Sequence, residues 1–239
     1  MVGLGTILNC AGILAGGVIG LLFGNRMKDT VQTALTAVCG IAVLFIAIAG
    51  ALEGMLEVQG TGVISSGSLL IVACLAIGTL IGELIDIEGA FERFGQWLKI
   101  KTGNARDSGF VDAFVTASLT VCIGAMAIVV AMEDGLSGDP SILATKAVLD
   151  LIIILVMTCA MGKGCIFSAI PVGLFQGSIT LLSGLLRPVM TEAALANLSM
   201  IGSILIFCVG INLVWGKKVR VANMLPSVVI AVIAAFLPL

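Results

Sequence analysis

The sequence predicts an all-α fold, a polytopic transmembrane helix bundle of about eight spans with one amphipathic helix at the cytoplasmic interface. Three observations predict it. Only 11% of the 239 residues are charged and 59% are hydrophobic, whereas a soluble domain carries about 25% charged residues. The mean hydropathy is +1.22. The apolar residues are gathered into repeated stretches of roughly 20, each enough to cross about 30 Å of hydrocarbon.

Residues 1–239 read as a single transmembrane domain, with spans at about 4–24, 30–52, 67–86, 109–132, 142–161, 165–186, 196–215 and 221–238. The first span lacks a basic leader and is long enough to stay in the membrane, so no cleavable signal is expected. Basic residues set the orientation. Arg26 and Lys28, then Arg93, Lys99, Lys101 and Arg106, then Lys163, then Lys217, Lys218 and Arg220 all fall on one side of this topology. Arg187 stands on the other side, and Lys146 lies just inside span five. The positive-inside rule places the basic side in the cytoplasm and both termini outside. Between spans three and four, Ile87, Phe91, Phe94 and Leu98 recur at helical spacing, which predicts a surface-lying helix over 87–101.

Glycine is abundant, with 30 residues. Gly12, Gly16, Gly20 and Gly24 line one face of span one at four-residue spacing, the small-xxx-small pattern that lets helices approach closely. Two readings stay open: packing inside the bundle, or a homodimer seam. Gly78/Gly82 and Gly173/Gly177 repeat the pattern briefly. Leu35–Cys39 and Leu119–Cys122 echo each other about 82 residues apart, each ahead of an acid-glycine pair.

The absences exclude chemistry. There is no histidine and no tyrosine, which removes Ser-His and Cys-His nucleophile pairs, His-ligated haem and most zinc sites. The seven cysteines all lie in apolar stretches, where Cys behaves as a small hydrophobe. Cys159, Met161 and Cys165 offer soft ligands for Cu(I) but lack a CxxC or a Met-rich repeat. No cofactor, metal or nucleic-acid partner is expected, and no phosphate-binding loop is present for ATP-driven work.

An ionisable group at membrane depth costs about 3 kcal/mol or more, so each one calls for a reason. Asp150 lies about two turns into span five, with Lys146 one turn earlier on the same face. The pair reads either as self-neutralising or as a proton or cation site tuned by the lysine. Glu83 and Asp86 share a face at the cytoplasmic end of span three, where Glu83 suits the mouth of a path. Asp112 opens span four and meets its helix dipole. In span six, Pro171 is expected near mid-membrane, bending the helix among Ser168, Gln176, Ser178 and Thr180. Asn9, Asn212 and Asn223 add amides in or near spans. The 133–140 loop holds three carboxylates and reads mainly as a solvated turn.

Several of these segments resemble one bacterial family. Gly5–Asn9, Gly82–Glu88, Cys122–Ile128, Asp134–Asp139, Lys146–Asp150, Phe175–Gly177 and Val221–Pro226 are similar, in order, to motifs of the DUF554 (YqgA/YdfK-like) membrane proteins. The resemblance implies a multi-pass protein of the bacterial inner (cytoplasmic) membrane and supplies no established catalytic or binding residue. The leading expectation is passive or cation-coupled transport of a small solute or ion, with H⁺ or Na⁺ as the coupling ion. The path would run past Asp150, Lys146, Gln176, Pro171, Ser168 and Glu83, with Asn9, Asn212 and Asn223 beside it. The rival expectations are a non-transporting scaffold or assembly protein and, behind it, an intramembrane enzyme. No enzyme activity is expected, and the partners are the lipid bilayer and the unidentified solute.

Overall fold

The computed structural model describes residues 3–24, 26–59, 62–123, 125–137 and 141–237. In chain order the helices are α1 (Leu4–Gly24), α2 (Asp29–Met55), α3 (Ser68–Ile85), α4 (Ile87–Lys101), α5 (Phe110–Cys122), α6 (Ala125–Ser137), α7 (Ser141–Met161), α8 (Ala169–Leu186), α9 (Glu192–Trp215) and α10 (Pro226–Ala234). Two 3₁₀ turns, Lys163–Ser168 and Val221–Met224, lead into α8 and α10. The 53–66 segment, expected as a loop, contains a hairpin, β1 (Leu56–Gln59) against β2 (Gly62–Ser65), antiparallel with Leu56 opposite Ser65 and Gln59 opposite Gly62.

Among the described residues, α1, α2, α3, the Lys163–Leu186 segment and α9 are long and apolar enough to cross a membrane, and α5 with α6 makes a sixth candidate. The expected count of eight therefore goes beyond what length and apolarity establish. Their exposed faces carry large hydrophobes such as Phe45, Leu69, Leu84, Leu174 and Leu181, which are 69% to 83% accessible. Water would drive such faces together; hydrocarbon solvates them.

Three expectations are corrected in detail. The predicted 109–132 span is two helices, bent by 62° where α5 gives way to α6. Pro171 does not kink a helix in mid-course. It is the third residue of α8, in the first turn, where its missing N–H has no intrahelical partner to lose. The predicted 221–238 span begins as the 3₁₀ turn, restarts at Pro226 and ends its α-helix at Ala234.

The chain falls into two compact units. The first comprises residues 1–39, 89–122 and 126–187; the second comprises 40–88, 123–125 and 188–239. In the first, the glycine ladder lies along α7. A Cβ on Gly12 would stand 2.8 Å from the Ala147 carbonyl, one on Gly20 2.5 Å from the Leu155 carbonyl, and one on Gly24 3.1 Å from the Cys159 Cα, while Gly16 faces the Leu151 carbonyl more closely still. Both partners repeat every fourth residue, so two backbones run together along one seam. The face that the sequence offered to either internal packing or a homodimer is thus occupied by α7 of the same chain.

In the second unit, α2 sets Gly40, Gly50 and Gly54 on Leu213/Val214, Ser203 and Met200 of α9. Gly78 and Gly82 of α3 fit against Ser227 and Asn223. Each unit contains a joint of the same backbone kind. Gly162 (φ 92°, ψ −161°) and Gly216 (φ 75°, ψ 176°) end α7 and α9 in a conformation open to glycine, and each precedes a 3₁₀ turn and a proline-containing helix start.

Candidate functional site

Asn9, Lys146, Asp150 and Gln176 converge in the first unit. The convergence follows from the glycine seam. Gly12 and Gly16 press α1 onto Ala147 and Leu151, the chain neighbours of Lys146 and Asp150, and Asn9 lies one turn before Gly12 on the same face. Gln176 reaches in from α8. All four are buried: Asn9 is 0% exposed, Gln176 1%, Asp150 4% and Lys146 5%.

Their hydrogen bonds form one directed chain. The Lys146 ammonium donates to Asp150 Oδ2 and makes a long contact of 3.4 Å with the Val121 carbonyl. Asn9 Nδ2 donates to the same Asp150 Oδ2 at 2.9 Å and to Gln176 Oε1 at 2.9 Å. This pattern fixes both amide orientations, because turning either one would set donor against donor or acceptor against acceptor. It also leaves two buried atoms without a hydrogen-bond partner, the acceptor Asn9 Oδ1 and the donor Gln176 Nε2. Burial of an unsatisfied polar atom costs roughly 1–3 kcal/mol. The Val121 carbonyl belongs to the last turn of α5, where carbonyls lack helical partners and the helix dipole is negative. The ammonium therefore rests between a carboxylate and the carbonyl end of an interrupted helix.

Further polar contacts surround this chain. Thr6 and Thr180 meet hydroxyl to hydroxyl at 3.3 Å, and Thr180 donates to the Ala131 carbonyl at 3.0 Å. Asp134, expected in a solvated turn, is fully buried within α6. It accepts from the amides of Gly3 (3.1 Å) and Gly5 (3.2 Å) and so caps α1. The other parts of that acidic loop, Gly138, Asp139 and Pro140, lie outside the described residues.

The remaining residues singled out in the sequence do not join the network. Ser168 is buried and donates to the Cys165 carbonyl within its own 3₁₀ turn at 2.7 Å. Pro171 starts α8, as described. Asn212 closes the end of α9, donating to the Val219 carbonyl at 2.7 Å and accepting from the amides of Lys218 (2.8 Å) and Val219 (2.9 Å). Asn223 accepts from the Glu88 amide at 2.7 Å. Glu83 is partly exposed and pairs with Arg220 at 2.6 Å.

These last contacts belong to a polar joint of the second unit that sequence reasoning largely missed. Glu88 is 2% exposed; its carboxylate pairs with Lys217 at 2.7 Å and accepts from the Ala222 amide at 3.2 Å. The buried stripe of α4 is Glu88, Gly95 and Leu98, one step round from the predicted Ile87, Phe91, Phe94 and Leu98. Phe94 and Trp97 stack on each other at 5.8 Å on its more exposed side. Arg220 also pairs with Asp86. The Asp86 hydrogen bond, with Glu83 adding its charge, outweighs desolvation and holds the guanidinium above its ordinary value.

Helices with apolar exposed faces and paired buried charges define a polytopic α-helical membrane protein. The chain belongs to the DUF554 family: the model described as "Protein of unknown function (DUF554)" matches residues 4–236. It is 29% identical over 232 residues to the "Uncharacterized membrane protein YdfK" of Bacillus subtilis (strain 168), covering 97% of this chain and 95% of that one. It is 27% identical over 232 residues to the "Uncharacterized protein YqgA" of Escherichia coli (strain K12), covering 95% and 94%. No solved structure gives a significant match.

Proposed function

We propose that the protein is a transporter of the bacterial inner membrane that moves a small solute or ion, coupled to H⁺ or Na⁺, with eight spans and both termini outside. The observation that carries this reading is the buried Lys146–Asp150–Asn9–Gln176 chain with its two unpartnered amide atoms. A purely structural ion pair has no use for an orphaned acceptor and an orphaned donor beside it. A polar guest would satisfy both. The interrupted helix that ends at Val121 and Cys122 adds support, since broken helices furnish cation-binding carbonyls in transporters. Pro171 and Ser168 shape the entry to α8 in this reading, and Glu83 takes no part in the path.

The experiment is flux into proteoliposomes across a panel of small solutes and alkali cations, under imposed H⁺ and Na⁺ gradients. Wild-type flux that disappears in Asp150→Asn supports the reading; full flux in that variant removes Asp150 from the path. A non-transporting scaffold is the second reading, and the neutral, self-paired state of Lys146 and Asp150 favours it. On that reading no gradient drives any flux, and Lys146→Met/Asp150→Leu keeps or raises stability, because apolar replacement of a buried pair is often neutral or stabilising.

A further inference from the structure

We propose that the cleft between the 103–107 loop and Lys163 holds the phosphate of an anionic phospholipid, with Arg106 and Lys163 as its ligands. The site lies apart from the buried polar chain and stands or falls independently of transport.

The cleft follows from local packing in the first unit. Gly103 (φ 72°) closes the turn after α4, its amide donating to the Ile100 carbonyl at 3.2 Å. Gly95 seats α4 on α5, since a Cβ there would stand 3.0 Å from the Phe114 ring and 3.2 Å from the Val111 side chain. The Lys163–Ser168 turn is clamped to the same helix. A Cβ on Gly164 would stand 2.9 Å from the Phe114 nitrogen, with the Phe110 carbonyl closer still, and the Phe110 and Phe167 rings meet at 5.2 Å. Lys163 is thereby carried to the loop that precedes α5. An open cleft of about 540 Å³ lies there, lined by Gly103, Asn104, Ala105, Arg106, Asp107 and Lys163. Small-ligand sites span roughly 300–1,000 Å³.

The donors in this cleft suit a phosphate. Arg106 and Lys163 are exposed, and among the described residues neither pairs with an acid, whereas Lys146, Lys217 and Arg220 all do. Asn104 spends its Nδ2 on the Thr102 carbonyl (3.2 Å) and hydroxyl (2.9 Å). Asp107 Oδ1 accepts from the Gly109 amide at 3.1 Å. A guanidinium fork and an ammonium are left to meet a ligand, and both are phosphate-binding groups. Two cations and one carboxylate leave the lining with a single positive charge. A phosphodiester, with one negative charge, neutralises it. Inorganic phosphate, mostly a dianion at about pH 8, would leave a negative charge in excess beside Asp107.

Position supplies the source of the diester. Beyond its buried stripe, α4 leaves Trp97 and Ile100 more than half exposed, with Arg93 and Lys101 exposed on the same helix. A helix that exposes Trp and aliphatic groups together with basic ones lies at headgroup depth. The cleft begins three residues beyond Ile100, at the level where a bilayer presents its phosphates. Basic pockets beside membrane helices take anionic headgroups.

The test is equilibrium binding of tail-labelled phosphatidylglycerol to the detergent-purified full-length chain at about pH 8. Unlabelled phosphatidylglycerol, phosphatidylcholine and inorganic phosphate serve as competitors, and only the first should displace the label. Arg106→Gln/Lys163→Gln should weaken the Kd about tenfold or more, since each basic residue near an anionic surface contributes about fivefold. Lys28→Gln/Lys218→Gln removes two charges that do not line the cleft and should leave the Kd near the wild-type value. Asp107→Asn keeps an acceptor for the Gly109 amide and removes the negative charge, so binding should tighten about fivefold. Misfolding cannot produce that gain, which keeps the proposal testable if the Arg106/Lys163 double variant proves unstable. Equal losses in the two double variants overturn the proposal, as does an unchanged Kd in Asp107→Asn. Displacement by phosphatidylcholine as effective as by phosphatidylglycerol overturns it too, and displacement by inorganic phosphate at matched concentration makes the cleft a free-anion site instead.

Discussion

Asp134 takes up two amides at the start of α1, and a signal for it exists in the sequence. Gly3, Leu4 and Gly5 offer no Ser, Thr, Asp or Asn to cap that helix, so its first N–H groups need an acceptor from elsewhere. Asp134→Ala should lower stability by about 1–2 kcal/mol, read as a lower thermal transition in detergent, with Asp134→Asn recovering part of the loss. Arg220 carries a prediction about pH. A base whose folded value is raised contributes stability that is complete below its ordinary value and is lost only as pH climbs past that point. The difference in thermal stability between wild type and Arg220→Gln should therefore stay constant from about pH 7 to about pH 10; a difference that shrinks with rising pH contradicts the assignment. Asn9, Lys146, Asp150 and Gln176 were legible one by one because each interrupts an apolar run. Glu88 and Asp134 were not, since each stands among other acids in segments that look water-facing, and only the fold buries them.

The seam between α1 and α7 explains why four scattered residues become one network. Its glycines were legible as a ladder, but periodicity carries no information about which helix receives them. The matching positions at Ala147, Leu151, Leu155 and Cys159 are unremarkable in sequence because their backbones, not their side chains, make the contact. Gly16→Ile should force α1 away from Leu151, cost at least about 1–3 kcal/mol by overpacking, and abolish flux by drawing Asn9 off Asp150. Gly177→Ala is the control, since nothing lies within 4 Å of a Cβ there and the helix should gain slightly from alanine. If both variants behave alike, the seam does not position the site. The two joint glycines belong to the same scale. Gly162→Ala and Gly216→Ala meet no neighbour within 4 Å, yet each should destabilise by about 1–3 kcal/mol through backbone strain alone.

At the scale of the whole molecule, the helix ahead of the repeated joint carries a buried ion pair in one unit and apolar residues at the same positions in the other. Twelve and sixteen residues before Gly162 stand Asp150 and Lys146; the same distances before Gly216 reach Ile204 and Met200. Five residues after Pro171 is Gln176, and five after Pro226 is Ala231. The shared backbone device was not legible as a repeat, because the side chains that differ are the ones that sequence reading weighs most. Each joint carries lysine next to its glycine, Lys163 and Lys217, and the positive-inside rule assigns both to the cytoplasm. This assignment is open to direct measurement in a chain whose native cysteines are replaced. A membrane-impermeant thiol reagent should leave Lys163→Cys and Lys217→Cys unlabelled in intact spheroplasts and label both once the membrane is opened. Arg187→Cys should react from outside in both cases. Labelling of either joint in sealed spheroplasts would reverse the orientation, and labelling of only one would require an odd number of crossings between them and hence a span count other than eight.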